Sequence, residues 1–556
     1  MTTLFQGQPN KHQANQLNLN AYVTDTWKLK PRLTANLGLR WDPYLPQSIP
    51  DIVSGTPGAV YNFNHDRFIR GIYSTVFKNA PAGFYYPGDP GFPGRSGIND
   101  QYWHFTPRVG FAWDVKGDGK TSVRASYSYG YLFMTGIWRE DTSGSNPWGG
   151  RTTVTQPGGG LDAPWRDNGD SPFPYVVDKN APFTPRGLFL TQKPDMKTPN
   201  VYSWNLSIQQ QIGSNWLASA SYIGTRTLHV WGQYPVNPAV FLGFDPCMLD
   251  GVQYVTCSAP ANTDARRLLS LERPRDGAKI GHLAEFDDGG VQKYNGMLLS
   301  LQRRVAKGVT FSGNYTWSHC QGNYSDINQN GPPANETYTK PGDRNFDNGN
   351  CFSDRRQIFN ATAVAQSPKF SNHTMQMLAS GWTVSGIYRV SSGAPVNVVL
   401  GTDVALTGTN LQRPNQISPN PYKDRSGRPS TQWVNPAAFV PPASGTYGNV
   451  GWNSLLGPGQ WSFDMALSRT FNVGERQRIE IRAEAFNVTN SFIPGCPQAF
   501  INPFLSPCSP SGLSGVPSVG GGITIGNSTA MNSNTFGQIR SAMDPRIMQF
   551  ALKYVF

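Results

Sequence analysis

Apolar and polar residues alternate along much of this chain. Leu33, Ala35, Leu37, Leu39 and Trp41 are interleaved with Thr34, Asn36, Gly38 and Arg40, and Val123, Ala125, Tyr127, Tyr129, Tyr131 and Phe133 with Ser122, Arg124, Ser126, Ser128 and Gly130. A period of two marks a β-strand with one apolar and one polar face. The same pattern predicts six strand pairs: LNLNAYVTDTW with RLTANLGLRWD, TPRVGFAWDV with TSVRASYSYGYLF, VYSWNLSIQQQ with NWLASASYIGTR, YNGMLLSLQRRV with VTFSGNYTWS, RRQIFNATAVA with GWTVSGIYRVSSG, and WSFDMALSRTF with RIEIRAEAFNVTN. A last strand, MQFALKYVF, puts Met548, Phe550, Leu552, Tyr554 and Phe556 on one wholly apolar face. That makes about thirteen strands, each as long as a tilted membrane-crossing strand needs to be.

The links alternate too. Within pairs they are short, such as KLKP, KGDGK and AKG, with QSPKFSNHTMQMLAS the one longer case. Between pairs run Gly-, Pro- and Asn-rich stretches such as residues 43–104, 134–199, 231–291 and 400–459. Loops of that length are uncommon in compact domains, whereas short periplasmic turns and long extracellular loops are the pattern of bacterial outer-membrane barrels. The polar faces carry Arg40, Arg124, Glu480, Arg482 and Glu484, which suits a wet lumen. Trp27, Trp41, Trp113, Tyr131, Trp216, Trp317 and Trp382 lie near strand ends, as aromatic girdles do at bilayer interfaces. The expected fold is all-β: an antiparallel transmembrane β-barrel of the outer-membrane type, partial at about thirteen strands. The competing architecture is a soluble sandwich or propeller, whose strands also alternate.

Composition taken alone points away from a membrane, since 38% of residues are hydrophobic and the mean hydropathy is -0.43. A barrel, however, spreads its apolar residues over every second position and needs no apolar run of about 18 residues; none occurs here. The 59 Gly, 30 Phe, 23 Tyr and 15 Trp favour strands and turns. The net charge of +12 is scattered, without a basic cluster, which argues against nucleic acid as a partner. Residues 1–16 lack the charged and apolar regions of a secretory signal and read as a lead-in to the strands of 17–556.

SWNLSIQQQI followed by SYIGTRTLHV, then YNGMLLSLQRRVAKGVTFSGNYTWSH, GWTVSGIYRVSSGAPV, FDMALSRTFNVGERQRIEIRAEAFNVTN and TFGQIRSAMDPRIMQFALKYVF, in this order, resemble the barrel of TonB-dependent outer-membrane receptors. Within them the chain is most similar to the Oar-like group, whose full-length members begin with a carboxypeptidase-regulatory-like domain. The resemblance implies a Gram-negative outer-membrane protein that binds a glycan, peptide or metal chelate at its outer loops. Uptake is then energised by the TonB complex acting on a plug domain, with no covalent chemistry. It also implies that Phe550, Leu552, Tyr554 and Phe556 form the C-terminal signal read by the barrel assembly machinery, the outward side chains meeting the lipid bilayer. Plug and carboxypeptidase-regulatory-like domains are absent from this sequence. The chain is therefore expected to be the C-terminal barrel part of a longer receptor, either an open, curved sheet with unpaired edges at LNLNAYVTDTW and MQFALKYVF or a distorted closure between them. A passive porin or surface-adhesion barrel, and a secreted β-rich carbohydrate-binding protein, are the alternatives.

Candidate chemistry is sparse. H-E-x-x-H and G-x-S-x-G do not occur and the seven His are isolated from one another, so neither an enzyme nor a resident cofactor is expected. DVKGDGKT has Asp114 where a phosphate-binding loop has its first Gly, and it reads as a hairpin turn around Gly117, Asp118 and Gly119. Six cysteines fall two by two in the long connections: Cys247 with Cys257, Cys320 with Cys351, and Cys496 with Cys508. That suits three local disulfides in an oxidising compartment; free or metal-binding thiols are the alternative, without a C-x-x-C spacing. Asp326, Asn328 and Asn330 are placed like the first half of a calcium loop, but Thr337 stands where a bidentate Glu belongs. With Asp343, Asn345 and Asp347 they are the candidate calcium ligands, the alternative being a solvated loop of turn-forming residues. Phe84, Tyr85, Tyr86, Trp138, Trp148 and Trp165 either offer a stacking surface to sugars or peptides or pack the loops together, and packing is the expected role.

Overall fold

The structure is a computed structural model of the 556-residue chain and describes all of it except residues 1–2, 8–12, 53–55, 134–141, 143, 150, 156–161, 164–165, 167–176, 184, 307, 324–337, 410, 425–431, 474–476, 494–535, 538 and 540–541. Thirteen strands follow one another in sequence order, each pairing antiparallel with the next. They are β1 (Ala21–Lys30), β2 (Leu33–Trp41), β3 (Phe105–Asp114), β4 (Thr121–Tyr131), β5 (Asn200–Ile212), β6 (Trp216–Pro235) and β7 (Ile280–Ala306). β8 (Val309–Gly322), β9 (Gln357–Gln366), β10 (Trp382–Ser391), β11 (Gln460–Asn472), β12 (Arg478–Phe486) and β13 (Ile547–Val555) complete the path. Two short strands flank it, Gly187–Gln192 parallel to β7 and Gly349–Asn350 antiparallel to β8. Among the described residues β1 and β13 have no strand on their outer sides, so the sheet is open at the two edges expected from the sequence.

The register keeps two faces separate across the sheet. Trp41 pairs with Phe105 and Leu33 with Trp113, Tyr127 with Trp204, Leu206 with Tyr222, Met297 with Trp317, Tyr315 with Phe359, Tyr388 with Phe463, and Ile481 with Leu552. A slip of one residue would turn every side chain to the wrong face, so the alternation excludes odd shifts, and the short turns select among the rest. This apolar face is uncovered: Phe550 is 76% and Leu552 74% exposed. On β11 it runs from Trp461 to Phe471, a span of about 33 Å along the strand and about 25 Å of height at a tilt near 40°, which is the height of a barrel's lipid band. At Gly224, opposite Trp204, an added Cβ would sit 2.2 Å from the indole; glycine lets the ring lie over the backbone.

The other face is polar and hydrogen-bonded across strands. Thr26 donates to Asn36 at 2.9 Å, Asn205 to Ser126 at 2.6 Å, Ser221 to Ser207 at 2.9 Å and Asn360 to Asn314 at 3.1 Å. Arg482 bonds Glu480 at 2.9 Å and Glu484 at 3.4 Å. The separation has exceptions: Asp25 stands on the apolar face opposite Leu37, and Ile223, Leu298 and Ile358 on the polar one.

One end of the sheet carries short turns. In that between β3 and β4, Gly117 and Gly119 take φ of 79° and 71°, and the Asp114 carboxylate accepts from both of their N–H groups at 2.8 and 3.0 Å. This is the hairpin the sequence predicts. The β9–β10 link holds a helix that the pattern does not predict, α1 (His373–Ala379); its seven residues give too few turns for a legible period. Part of the stretch 231–291, expected as loop, is strand, because β6 and β7 reach 20 and 27 residues. Register shifts at Leu228/Val230 and Val230/Gly232, with His229 at φ 57°, break the alternation there without ending the ladder. The lead-in is also structured: Thr3–Gly7 pairs with Arg151–Thr155 in the β4–β5 connection.

Candidate functional site

Six long connections leave the opposite end, at residues 42–104, 132–199, 236–279, 323–356, 392–459 and 487–546. They build cores of their own. Tyr61, Phe77, Phe84, Tyr86, Trp148 and Phe189 from the first two meet Leu269 from the third and Ile280 and Leu283 from the start of β7. Tyr61 stacks on Trp148 at 5.7 Å and meets Phe189 edge-on at 6.1 Å. Two of the polar tips are satisfied: the Trp148 indole donates to the Pro57 carbonyl at 2.8 Å, and the Tyr61 hydroxyl accepts from Leu190 N–H at 2.9 Å, while the buried Tyr86 hydroxyl has no partner among the described residues. A second core gathers Val396, Val398, Val434, Phe439, Val450 and Leu455 from the β10–β11 connection with Phe536 from the last one.

Buried charges tie the connections together. Arg413 and Asp347, 0% and 1% exposed, form an ion pair at 2.5 Å between the fifth and fourth connections. Arg413 also donates to the carbonyls of Val450 at 2.8 Å and Phe346 at 2.7 Å, with the Phe346 ring 4.1 Å from its guanidinium. Arg266, fully buried, joins the third connection to the fifth by donating to the Leu406 carbonyl at 2.8 Å, and within its own connection it bonds the Val240 carbonyl at 2.7 Å and Asn262 at 2.9 Å. Burial lowers the pKa of both guanidiniums. The Asp89 carboxylate accepts from Ser74, Thr75 and Tyr86 at 2.6 to 3.0 Å. Glu285 lies in the part of β7 beyond the membrane-crossing stretch, and burial pushes its carboxyl up to about 7, opposed by Lys193 at 3.8 Å. Burial also holds His282, in the same extension, down to about 3.

A recess of about 340 Å³ opens in the third connection, of a size that takes a small ligand. Its roof is a two-stranded hairpin, Cys247–Leu249 with Val252–Tyr254, closed by the Cys247–Cys257 disulfide. Met248, Tyr254, Leu271 and Ile280 line it beside Arg186 and Asp264, whose charged groups are 3.5 Å apart. Arg186 and Asp250, also lining residues, take left-handed φ of 56° and 46°. For Asp250, followed by Gly251 at φ 76°, this is the ordinary two-residue turn of the hairpin. The arrangement offers apolar contact, a cation and carboxylates, and so non-covalent recognition.

The residues singled out in the sequence are scattered over this end and the sheet. Phe550, Leu552 and Tyr554 share the apolar face of β13, opposite Ala483, Ile481 and Ile479, and Phe556 follows it at 91% exposure. Cys320 is joined to Cys351 with Cα atoms 5.3 Å apart, and Cys247 to Cys257 at 5.2 Å; Cys496 and Cys508 lie outside the described residues. So do Asp326, Asn328 and Asn330. Two of the other calcium candidates make contacts with the protein itself. Asp347 pairs with Arg413 and accepts from Thr339 N–H at 2.6 Å, while Asp343 caps the turn of Arg344–Asp347 that contains Asn345. Among the described residues no group of three or more His, Cys, Asp or Glu side chains gathers as metal ligands. Phe84, Tyr86 and Trp148 are 0% and Tyr85 6% exposed, so these aromatics pack the loops; Trp138 and Trp165 are outside the described residues. Arg413 and Arg266 were not legible beforehand, since their partners lie in other connections and leave no local signal.

A family model described as "Outer membrane beta barrel domain" matches residues 2–549. No curated protein matches the chain. Among solved structures, the outer membrane transporter YddB from Escherichia coli aligns with a TM-score of 0.41 and 12% identity over 86% of this chain and 42% of that one. BauA, the ferric preacinetobactin receptor from Acinetobacter baumannii, aligns with a TM-score of 0.39 and 10% identity over 97% and 42%. The FrpB iron transporter from Neisseria meningitidis gives 0.37 and 12% over 85% and 41%. The chain spans about two fifths of the length of each.

Proposed function

The chain belongs to the outer membrane β-barrel domain family, proteins of the Gram-negative outer membrane, and from that premise we propose that it is the C-terminal barrel part of a TonB-dependent receptor of the Oar-like group. Residues 17–556 then supply barrel strands and outer loops, while a plug and a carboxypeptidase-regulatory-like domain belong to further chain. The observation that carries this reading is the asymmetry of the sheet. Short turns and one longer link that holds α1 close one end, and the described parts of the long connections at the other pack into cores beside a ligand-sized recess. A porin needs only an open lumen; an importer needs a selective surface above it. In this reading a glycan, peptide or metal chelate binds the loop body, and TonB acts through the plug to admit it along the polar face. The ordered run of motifs resembling that receptor group supports the same assignment.

The test reads the coding sequence upstream of Met1 and the conductance of its full product in planar bilayers. A plug-coding region and a closed resting state are expected. A signal peptide joined directly to these strands, with steady ohmic conductance, would replace the receptor by a passive porin.

A further inference from the structure

The turn-side rim has a feature that substrate binding does not explain. None of the residues of α1 is buried: Met375, Met377 and Leu378 are 55%, 58% and 60% exposed, and Phe370 just before it is 37% exposed. A helix of this length is marginal in water by itself, and this one receives no core. It is held by the apolar face of the sheet. Arg469 donates to the Met377 carbonyl, and the Trp382 indole donates to the Leu378 carbonyl at 2.9 Å. These two side chains are register partners on β10 and β11. The Arg469 guanidinium lies 5.1 Å from the Trp382 ring and 4.5 Å from that of Phe471. The last turn of α1 is therefore capped by the aromatic girdle, on the wall that faces lipid.

We propose that α1 is an interfacial anchor in the periplasmic leaflet, and that Arg469 and Trp382 beneath it, with Lys369, hold the headgroup of an anionic phospholipid. The apolar part of the argument is continuity: Met375, Met377 and Leu378 extend a lipid-facing surface that already ends in Trp382 and Phe471. The polar part is charge. The apolar face at this rim presents Arg303 and Arg469, the link adds Lys369, and among the described residues no carboxylate stands in the link or at these rim positions. Arg303 repeats the motif, lying 5.6 Å from the Trp216 ring. Cations stacked on girdle aromatics lie where anionic headgroups are, and short helices with an apolar side rest in that plane. A protein partner fits less well, because the wall on which α1 stands is covered by lipid in the membrane.

The anchor is tested by hydroxyl-radical labelling of outer membranes that contain the full protein, read by mass spectrometry. Met375 and Met377 should be oxidised at least about fivefold less than Met248, which is 64% exposed on the loop hairpin; equal oxidation overturns the anchor. The headgroup site is tested by native mass spectrometry of the purified protein in equal phosphatidylglycerol and phosphatidylcholine. Phosphatidylglycerol should be retained in preference, and Arg469→Gln should cut that preference about fivefold. Because Arg469 also caps α1, Lys369→Gln, which leaves the cap intact, should lower it as well. No preference in the wild type, or one unchanged in both variants, overturns the site. The proposal rests on the membrane reading alone, and its failure would leave the plug and conductance results of the receptor test as they stand.

Discussion

Replacing Asp347 with alanine tests how far the loop body depends on one buried charge pair. The substitution leaves Arg413, itself 0% exposed, without a counter-ion, and takes the acceptor from Thr339 N–H. The remaining partners of the guanidinium are the Val450 and Phe346 carbonyls, the Thr339 hydroxyl at 3.4 Å, and the rings of Phe346 and Trp452 at 4.1 and 5.6 Å. Breaking a buried pair from one side costs about 3–5 kcal/mol. With those contacts kept, we expect the lower end, about 3 kcal/mol. The double variant Asp347→Ala/Arg413→Met removes both charges and should recover most of the loss, since an apolar replacement of a buried pair is often near neutral. The informative readout is local opening, followed as proteolysis of the 392–459 connection on intact cells. A loss of about 3 kcal/mol raises the open population, and the cleavage rate with it, about a hundredfold. Cleavage of Asp347→Ala within threefold of wild type, or a double variant cleaved as fast as the single one, would refute the reasoning. A chelator supplies the contrast with calcium: it should leave wild-type cleavage unchanged if Asp347 serves Arg413.

Phe550→Arg places a charge in the middle of the apolar face of β13 and should cost about 2–4 kcal/mol, whereas Leu552→Arg, in the row of Ile481 and Arg469, should cost less; heat-modifiable barrel at wild-type levels in Phe550→Arg would contradict the lipid-facing assignment. Peptide mapping of non-reduced protein should find Cys496 linked to Cys508 beside the two other local bridges, and a link between different connections would exclude the local scheme. Glu285 keeps its proton in the folded state up to about 7, against an ordinary 4.5, so its contribution is full below about 4.5 and is lost as pH rises through 7. Amide exchange near Glu285 should therefore be faster at pH 8 than at pH 5 after correction for the intrinsic rate, and Glu285→Gln should abolish the difference.

The sheet was legible because the alternation is nearly unbroken. The stretches Leu33 to Trp41 and Val123 to Tyr131 are strands of the sheet, each with its apolar residues on one face. Legibility failed where period two fails. The outer parts of β6 and β7 were hidden by the irregular backbone at His229, which shifts the ladder, and α1 by its shortness. The loop cores stayed hidden for a different reason: Tyr61, Trp148 and Phe189 are brought together only by tertiary folding. Asp347 lies in an Asx-rich stretch that carries no sign of its ion pair, because its partner Arg413 stands 66 residues away.

The length of the β6–β7 pair bears on how the outer body can move. Crossing the membrane takes about ten residues, and this ladder continues from Trp216 opposite Arg303 out to Pro235 opposite Ala284, with Gly187–Gln192 alongside. It stands above the membrane as a mast. A load along its axis falls on all the rungs at once, in shear, whereas a load that peels takes them singly. The core on Ile280 and Leu283 therefore travels with the wall. The β10–β11 connection meets that core's neighbours through single contacts such as Arg266 to Leu406 and Ala239 to Thr407, while its own core and the Arg413–Asp347 pair hold it to the last and fourth connections.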